Sequence, residues 1–380
     1  MGNLVFSLFS EGKIYLFFYL WFFLLAVLEI SKDIKPYRNI LLGFSCLMLS
    51  FFTGLRWDTG TDWISYKELF DTLELNWTFL LNVYAFDLGY VVFNAIVRFF
   101  TDSYVLFLLI DSFLAVGIVF LFLKKYSPNP NMSLFVFYNA FFVAQFMGSN
   151  RRIISLGAGL FIFYHICHKN YKKFIIWELF AFLFHRTSIM IALGWLVPKK
   201  RFSTNKVIAI LLLCLILGIP QLPFKLVGAL GDLLSAFSGN SFVEKLMYYS
   251  ENKEAGVSES TNPVVLMTLS VVKRSIFISF YFYIIRQNRG QLDYLTDYFF
   301  NIYIIGFAMY LLFNGSPIFQ MISTYYTFIE IVLIGRVWSY TRLNAKFIFL
   351  IVLLFYGFFQ LLSSLNAYSE LYIPYKTFLT

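Results

Sequence analysis

Long apolar runs separated by short polar segments recur along the whole chain. Most are long enough to cross a hydrocarbon layer of about 30 Å as an α-helix, which takes roughly 20 residues. The pattern therefore predicts an all-α, polytopic membrane protein with about twelve transmembrane helices. The predicted hydrophobic spans are 14–30, 39–55, 103–123, 132–148, 153–168, 173–184, 187–197, 205–223, 263–285, 295–313, 317–335 and 346–363.

Two of these runs, 173–184 and 187–197, are too short to cross a bilayer alone. They predict a broken pair of helices that meets at His185 and Arg186, partway through the membrane. Interrupted elements of this kind are stable only where they are packed in protein or line a polar cavity.

The stretch 88–100 is apolar but contains Asn94 and Arg98, and we predict an interfacial or re-entrant helix there. Cytoplasmic loops of membrane proteins are enriched in Lys and Arg. With the N-terminus outside and no crossing at 88–100, the basic loop clusters all fall on the inward side. A crossing at 88–100 would place several of them outside, so charge supports the interfacial assignment.

This topology gathers the unusual polar sequence on the outward side. In loop 224–262, Phe224–Phe237 has the apolar spacing of a surface helix, and Ser250–Asn262 is polar. Because polar segments from distant parts of the chain share this side, we predict the functional site there. The outward segments are loops 56–87 and 224–262, Ser149–Arg152, His185–Ser188, Asn314–Pro317 and the tail from Asn366.

Composition agrees with a membrane protein. The 380 residues are 59% hydrophobic and only 13% charged, whereas soluble domains carry roughly 25% charged residues. No soluble block is long enough for an independent domain, so we predict a single integral membrane domain over 1–380. The cysteines Cys46, Cys167 and Cys214 lie in apolar runs, where packing explains them better than a disulfide or a metal site.

Several motifs are missing from the sequence. There is no P-loop, Gly-rich dinucleotide fingerprint, zinc-spaced His/Cys cluster or Gly-x-Ser-x-Gly elbow. This pattern disfavours ATP hydrolysis, redox chemistry and serine hydrolysis. We expect no cofactor, no metal and no nucleic-acid partner.

The first candidate residues are cations at the ends of apolar runs. Arg151 and Arg152 open one run, and Arg186 interrupts another. A guanidinium at a helix centre costs about 2.5–3.5 kcal/mol on insertion scales, and its planar fork suits phosphate oxygens. Adjacent helical residues point about 100° apart, so one arginine of the pair should face a cavity. The alternative is a topological anchor at the helix ends.

His185 is the candidate general base because an imidazole titrates near neutral pH. Arg186 beside it should lower its pKa by like-charge repulsion and keep it able to accept a proton. The alternative role for His185 is a polar contact between helices.

The segment that follows the second run carries Arg56 and, between Trp57 and Trp63, Asp58 and Asp62. The two carboxylates are four residues apart and share a face if this segment is helical. An interfacial anchor with paired charges is the alternative, since tryptophan belts are expected at membrane surfaces.

Asp87 precedes Gly89 and Tyr90 at the start of the interfacial stretch. Asp is a favoured N-cap residue, and capping is the first expectation; orienting a sugar hydroxyl is the second. In the tail, Lys376 follows Tyr375 and is either a snorkelling anchor or part of a phosphate site.

Taken in order, these motifs resemble the EpsG/Wzy-type polysaccharide polymerases of bacterial inner membranes. The departures are Asp87 where the family has Glu, Arg152 where it has Gln, and a penultimate span 317–335 without the usual Arg. The matching motifs are Arg56, Gly60, Asp62 and Tyr66 after the second helix; Asp87, Gly89 and Tyr90; Arg151-Arg152; Phe184-His185-Arg186-Thr187-Ser188; and Pro374-Tyr375-Lys376.

The resemblance implies a glycosyltransferase that joins undecaprenyl-diphosphate-linked repeats into O-antigen or exopolysaccharide on the periplasmic face. It implies membrane lipid as surroundings, and a flippase and a chain-length regulator as pathway partners. Arginines holding the diphosphate make a metal unnecessary. The expected residues are His185, Asp62 and Asp87 for catalysis; Arg56, Arg151, Arg152, Arg186 and Lys376 for the diphosphate; and Tyr66, Tyr90 and Tyr375 for the sugar.

Three other functions use similar features. A flippase for the same lipid-linked sugars would need cations only to hold the head group. A membrane O-acyltransferase would use His185 as its base without the arginines. A polysaccharide-to-lipid ligase would share the donor and use a different acceptor.

Overall fold

The computed structural model describes residues 2–31, 33–76, 78, 80, 86–223, 226, 263–314, 317–366 and 369–379. Within these residues the regular structure is helical, and Arg56 and Thr377 form an isolated antiparallel bridge. The predicted all-α class is confirmed. The predicted surface helix 224–237 and the polar stretch 250–262 lie outside the described residues, apart from Leu226.

Two compact units make up the chain. The first comprises Met1–Gly194 and Glu330–Thr380, and the second comprises Trp195–Ile329. The helices of the first unit are α1 (Gly2–Ser10), α2 (Lys13–Leu28), α3 (Arg38–Gly54), α4 (Trp63–Thr72), α5 (Leu88–Phe100), α6 (Tyr104–Tyr126), α7 (Pro130–Phe137) followed by a π-helix (Tyr138–Phe146), α8 (Asn150–Cys167), α9 (Tyr171–Phe184) and a 3₁₀-helix that starts at Arg186 and ends at Leu196.

The described residues of the second unit form four α-helices, and the last part of the chain returns to the first unit. The second unit has α10 (Thr204–Gly218), α11 (Pro263–Gln287), α12 (Tyr294–Leu312) and α13 (Pro317–Thr327). The chain then continues through α14 (Glu330–Tyr340), α15 (Leu343–Asn366) and α16 (Ser369–Tyr372).

The predicted number of about twelve crossings is not confirmed. Among the described residues, Tyr104–Tyr126, Tyr294–Leu312 and Ala345–Asn366 are long and apolar enough to span a membrane. Leu4–Ser10 and Lys13–Leu28 form a fourth candidate span bent by 84°. The other predicted spans are shorter, broken or interrupted by charge. The span predicted at 317–335, for example, divides into α13 and α14.

The break predicted at His185 lies at the end of a helical hairpin and not partway along it. Helices α8 and α9 are antiparallel, and the Ser155 hydroxyl donates a 2.8 Å hydrogen bond to the Ala181 carbonyl. This register places His185 level with Arg151, at the N-terminal end of α8. The 3₁₀-helix then runs back along α8, where Gly194 packs against Phe163.

Helix α5 has both ends at one end of the bundle in the first unit. Its N-terminal Asp87 contacts Arg151 at the start of α8, and its C-terminus leads within four residues into the start of α6. Helices α6 and α8 are parallel, since Gly157 packs on Ile118 and Phe161 on Phe122. The two starts therefore lie at the same end, and the interfacial or re-entrant assignment of α5 stays a prediction.

Two unusual helices flank the start of α8. The π-helix Tyr138–Phe146 ends shortly before Ser149, and the 3₁₀-helix begins at Arg186. Both types are normally short, and π-helical turns concentrate at functional sites. The two helices meet at one end of α8 and α9, which indicates a functional site at that end.

Candidate functional site

Polar segments that are distant in sequence meet at the N-terminal end of α8. The Thr61 hydroxyl donates to the Gly148 carbonyl at 3.1 Å, and the hydroxyls of Tyr66 and Ser149 are 3.1 Å apart. The tail joins them, because the Trp57 amide donates to the Lys376 carbonyl at 3.0 Å. Three of the segments predicted to share one side, 56–87, Ser149–Arg152 and the tail from Asn366, therefore meet in the first unit.

An ion-pair cluster of Asp87, Arg151 and Arg186 lies at the centre of this region; we refer to it as the arginine cluster. Arg151 Nη1 is 2.8 Å from Asp87 Oδ2, and Arg186 Nε is 2.9 Å from Oδ1. The Arg186 backbone amide donates a further 3.2 Å hydrogen bond to Asp87 Oδ1. Two guanidinium groups thus share a single buried carboxylate, which leaves an excess of positive charge.

Asp87 occupies the N-cap position of α5, as predicted, but its side chain forms no capping hydrogen bond. Both carboxylate oxygens are used by the two arginines instead. A charge-assisted hydrogen bond to Arg is stronger than one to a neutral backbone amide, which explains why the side chain turns from the helix to the cluster.

Arg151 is held in place from several directions. Its guanidinium lies over the Phe86 ring at 5.2 Å and interacts with Tyr66, while its side chain keeps 25% of its surface exposed. It is the second residue of α8, whose N-cap residue Ser149 makes no side-chain cap. A helix N-terminus offers backbone N–H groups and a positive dipole to anions. Arg151 and the helix end can therefore bind the same anion.

Arg152 points away from the arginine cluster. It is buried, and its Nη2 donates to the Gln145 Oε1 in the last turn of the π-helix. The two adjacent arginines diverge, as the helical geometry predicted, and Arg151 is the one that joins the cluster. Arg186, with 58% of its side chain exposed, supplies the second accessible guanidinium.

His185 is half-buried at the end of α9, and its Nδ1 is 2.7 Å from the Thr187 hydroxyl. Burial, reinforced by the charges of Arg151 and Arg152, lowers the pKa of His185 to about 3. The direction of this shift agrees with the prediction, but its main causes are burial and the charges of Arg151 and Arg152, and not the expected Arg186. The imidazole is therefore neutral near pH 7.

The two predicted aspartates of the first outward segment have different surroundings. Asp62 precedes α4, is exposed and interacts electrostatically with Arg152 and Arg151. Asp58 pairs at 3.4 Å with Lys376, and both side chains are about half exposed. The structure therefore places Asp62 beside the cations, whereas Lys376 is engaged with a carboxylate.

Arg56 is enclosed beneath the arginine cluster. It is 1% exposed, and its Nη1 donates to the Thr53 carbonyl at 2.5 Å and to the Thr53 hydroxyl at 2.8 Å. Its Nη2 donates to Asn150 Oδ1 at 2.5 Å. In this arrangement its hydrogen bonds support the first residue of α8 and are not directed at the accessible side of the cluster.

The tyrosines predicted to bind sugar are used mainly for packing. Tyr66 and Tyr90 are fully buried and contact each other edge to face, with ring centroids 5.3 Å apart. Tyr375 is half-buried, stacks on Phe52 at 4.6 Å and donates to the Phe52 carbonyl. The structure does not present Tyr66 or Tyr90 as an open aromatic surface for a sugar ring.

Sequence reasoning missed three polar residues in this region: Asn150, Gln145 and Asp111. Asn150 and Gln145 accept hydrogen bonds from Arg56 and Arg152. Asp111 is completely buried in α6. A signal for it was present, because a lone carboxylate within the apolar run 103–123 is costly and usually functional.

An open groove of about 350 Å³ lies elsewhere on the first unit, along the distal half of α5. Its lining is apolar apart from Asn76 and contains none of the predicted site residues. The groove residues are Leu75, Asn76, Leu80, Val92, Ala95, Ile96, Phe99 and Phe100.

The chain matches a known protein family. Residues 39–377 match the model of the EpsG family. No curated protein and no solved structure matches the chain. The match covers most of the chain, including all the residues of the arginine cluster.

Proposed function

Because the chain belongs to the EpsG family, a family of Wzy-type polysaccharide polymerases, we propose that it joins lipid-diphosphate-linked oligosaccharide repeats into a polysaccharide. The observation that carries the proposal is the arginine cluster at the N-terminus of α8. There, two guanidinium groups share Asp87 next to the neutral base His185. The substrate we propose is undecaprenyl-diphosphate-linked oligosaccharide, and the product is O-antigen or exopolysaccharide.

The reaction exchanges one bond for another. The bond between the donor's anomeric carbon and its lipid diphosphate breaks, and a hydroxyl of the next lipid-linked repeat forms the new glycosidic bond. The diphosphate leaves with the bonding electron pair, and the acceptor hydroxyl gives up its proton. This chemistry requires fixed positive charge at the leaving group and a base at the acceptor.

Arg151 and Arg186 are suited to the leaving diphosphate. Their shared carboxylate holds both forks in place before substrate binds, so little reorganisation is needed when negative charge develops. The planar guanidinium matches phosphate oxygens through two parallel hydrogen bonds. We propose that these arginines and the first N–H groups of α8 bind the diphosphate without a metal ion.

His185 is the proposed general base. It is neutral near pH 7 and lies level with Arg151, at the end of the adjacent helix. Asp87 is less suited to take the proton, because both of its oxygens already accept hydrogen bonds from arginines. Asp62 is exposed beside the cations and is the alternative acceptor.

The location follows from the same proposal. We propose that the protein is a multi-pass protein of the bacterial inner membrane and that the arginine cluster faces the periplasm or the cell exterior. A flippase would deliver the lipid-linked repeats to that side, and a chain-length regulator would limit the polymer.

A gel profile of surface and lipid-linked polysaccharide from cells lacking the gene tests the proposal. We expect single repeats on the surface with the polymer ladder gone, because export continues while joining fails. Expression of the wild-type protein from a plasmid is the control and should restore the ladder. Loss of all surface sugar would indicate a flippase or ligase instead, and an intact ladder lacking acyl groups would indicate an acyltransferase.

A further inference from the structure

Asp111 is a carboxylate enclosed in a long apolar helix. It lies in α6, is 0% exposed, and neither of its oxygens has a hydrogen-bond partner among the described residues. An ionisable group in such a position is expensive unless another group compensates it. It lies near Asn150, the residue that precedes Arg151 of the arginine cluster. The chemistry proposed above does not use it.

Arg56 is the charged side chain that acts on Asp111. Burial is the main influence on the Asp111 carboxyl, and Arg56 opposes it electrostatically without a direct ion pair between them; the Nε of Arg56 is also buried without a hydrogen-bond partner. Helices α6 and α8 pack with a constant offset of 39 residues, which places Asn150 level with Asp111. The Nδ2 of Asn150 is likewise buried, without a hydrogen bond of normal geometry, and the Asn150 side chain interacts with the Tyr90 hydroxyl.

These groups connect three elements of the first unit. Arg56 donates to Thr53 at the end of α3 and to Asn150 at the start of α8, while Asp111 belongs to α6. Arg151, the next residue after Asn150, is part of the arginine cluster. A change in the charge that balances Arg56 is therefore expected to move the start of α8.

We propose that Asp111 is a positioning residue that acts as the counter-charge of Arg56 and thereby fixes Asn150 and the diphosphate-binding end of α8. The test of this role by activity rests on the proposed function, whereas the test by stability does not. It assigns Arg56 to support of the site and not to direct contact with the diphosphate.

The test compares Asp111→Asn, Arg56→Met, Asp111→Leu and the double variant Arg56→Met/Asp111→Leu. Each protein is purified and placed in vesicles with lipid-diphosphate-linked repeats. Removing one partner of a buried charge pair leaves the other uncompensated, whereas apolar replacement of both is often tolerated. We expect the single variants to unfold at lower temperature and the double variant to recover most of the loss.

Activity separates a positioning role from a merely structural one. We expect Asp111→Asn to lower kcat by about 10-fold or more, and the double variant to remain equally slow despite its recovered stability. Recovery of both stability and kcat in the double variant would overturn the positioning role. Wild-type activity in Asp111→Asn would overturn it as well.

Glu178→Gln is the matched control, because Glu178 is another buried carboxylate in a helix of the same unit with neither oxygen hydrogen-bonded. It should retain wild-type kcat. If the wild-type protein forms no polymer, the proposed function fails, but the stability cycle still measures the coupling of Arg56 and Asp111. Additive losses in that cycle would show that the pair does not interact.

Discussion

Replacement of Arg151 by alanine is expected to abolish polymer formation while the protein still inserts and folds. The variant loses the guanidinium that is best positioned for the diphosphate, and removal of one such transition-state contact costs about 100- to 1,000-fold in rate. The fold should persist, because Asp87 keeps Arg186 as its partner. The measurement is the polysaccharide ladder in cells lacking the native gene, with membrane levels of the variant quantified beside it.

Arg98→Ala is the matched control for this prediction. Arg98 pairs with Asp102, and its side chain is 23% exposed, close to the 25% of Arg151. It should support a normal ladder. Arg151→Lys adds a second comparison, since Lys keeps the charge but not the planar fork. A flippase should tolerate the change to Lys, whereas we expect the polymerase to lose most of its activity. A full ladder with the Arg151→Ala variant would exclude the proposed site.

Replacement of His185 by alanine is the second change with a large expected effect. Loss of a positioned general base typically costs about 100- to 10,000-fold in rate. His185→Ala should therefore accumulate single repeats, with membrane insertion and unfolding temperature close to those of the wild type. His168→Ala is the control, because His168 lies at the other end of α8, stacked on Tyr164 at 4.1 Å. A polysaccharide of normal chain length in the His185→Ala variant would show that His185 is not the base and would favour Asp62 in that role.

The pH dependence provides an independent check on His185. A histidine with a pKa of about 3 stays neutral as the pH falls from 8 to 5, so the base remains able to accept a proton. An ordinary histidine would become protonated near pH 6.5 over that range. Rates measured in vesicles should thus show no acid limb near pH 6.5. The contrary result is an acid limb near pH 6.5 that disappears in a His185→Gln variant with residual activity. It would contradict the prediction that His185 is buried and neutral.

The order of apolar and polar segments was sufficient to predict the helical class and the convergence of the site. Arg151, Asp87 and the adjacent residues His185 and Arg186 come from three separate segments, yet the charge-based topology placed all of them on one side. That inference depended on the cost of charge in lipid, which acts on each segment alone and can be evaluated from sequence. It did not require knowledge of helix contacts.

Contacts between segments were not predictable in the same way. Asp87 looked like a helix cap from its position before α5, but two arginines from distant segments compete for its oxygens. Arg56 looked like a site cation, but Thr53 and Asn150 enclose it. Local sequence reports the preference of one residue, whereas the outcome depends on which partners the packed helices bring within reach.

The length and type of the helices were also not predictable from the sequence. The sequence predicted a break at His185. It did not predict that the break lies at the end of the helical hairpin, which follows from the antiparallel register of α8 and α9. Nor did the apolar run 132–148 reveal the π-helix that ends it, since hydrophobicity does not distinguish an α-helical from a π-helical turn. Lys273 and Arg274, in the middle of the predicted span 263–285, were overlooked. In the second unit, Arg274 lies over the Phe307 and Tyr310 rings, at 5.2 and 4.6 Å.

The most direct measurement is a reaction with the purified protein in vesicles containing lipid-diphosphate-linked repeats and a chelator of divalent metals. We expect linked repeats of two or more units to appear, with one lipid diphosphate released for each new glycosidic bond, and we expect Arg151→Ala to form neither product. Movement of intact repeats across the bilayer without bond formation, or joining that stops when the chelator is added, would contradict this expectation.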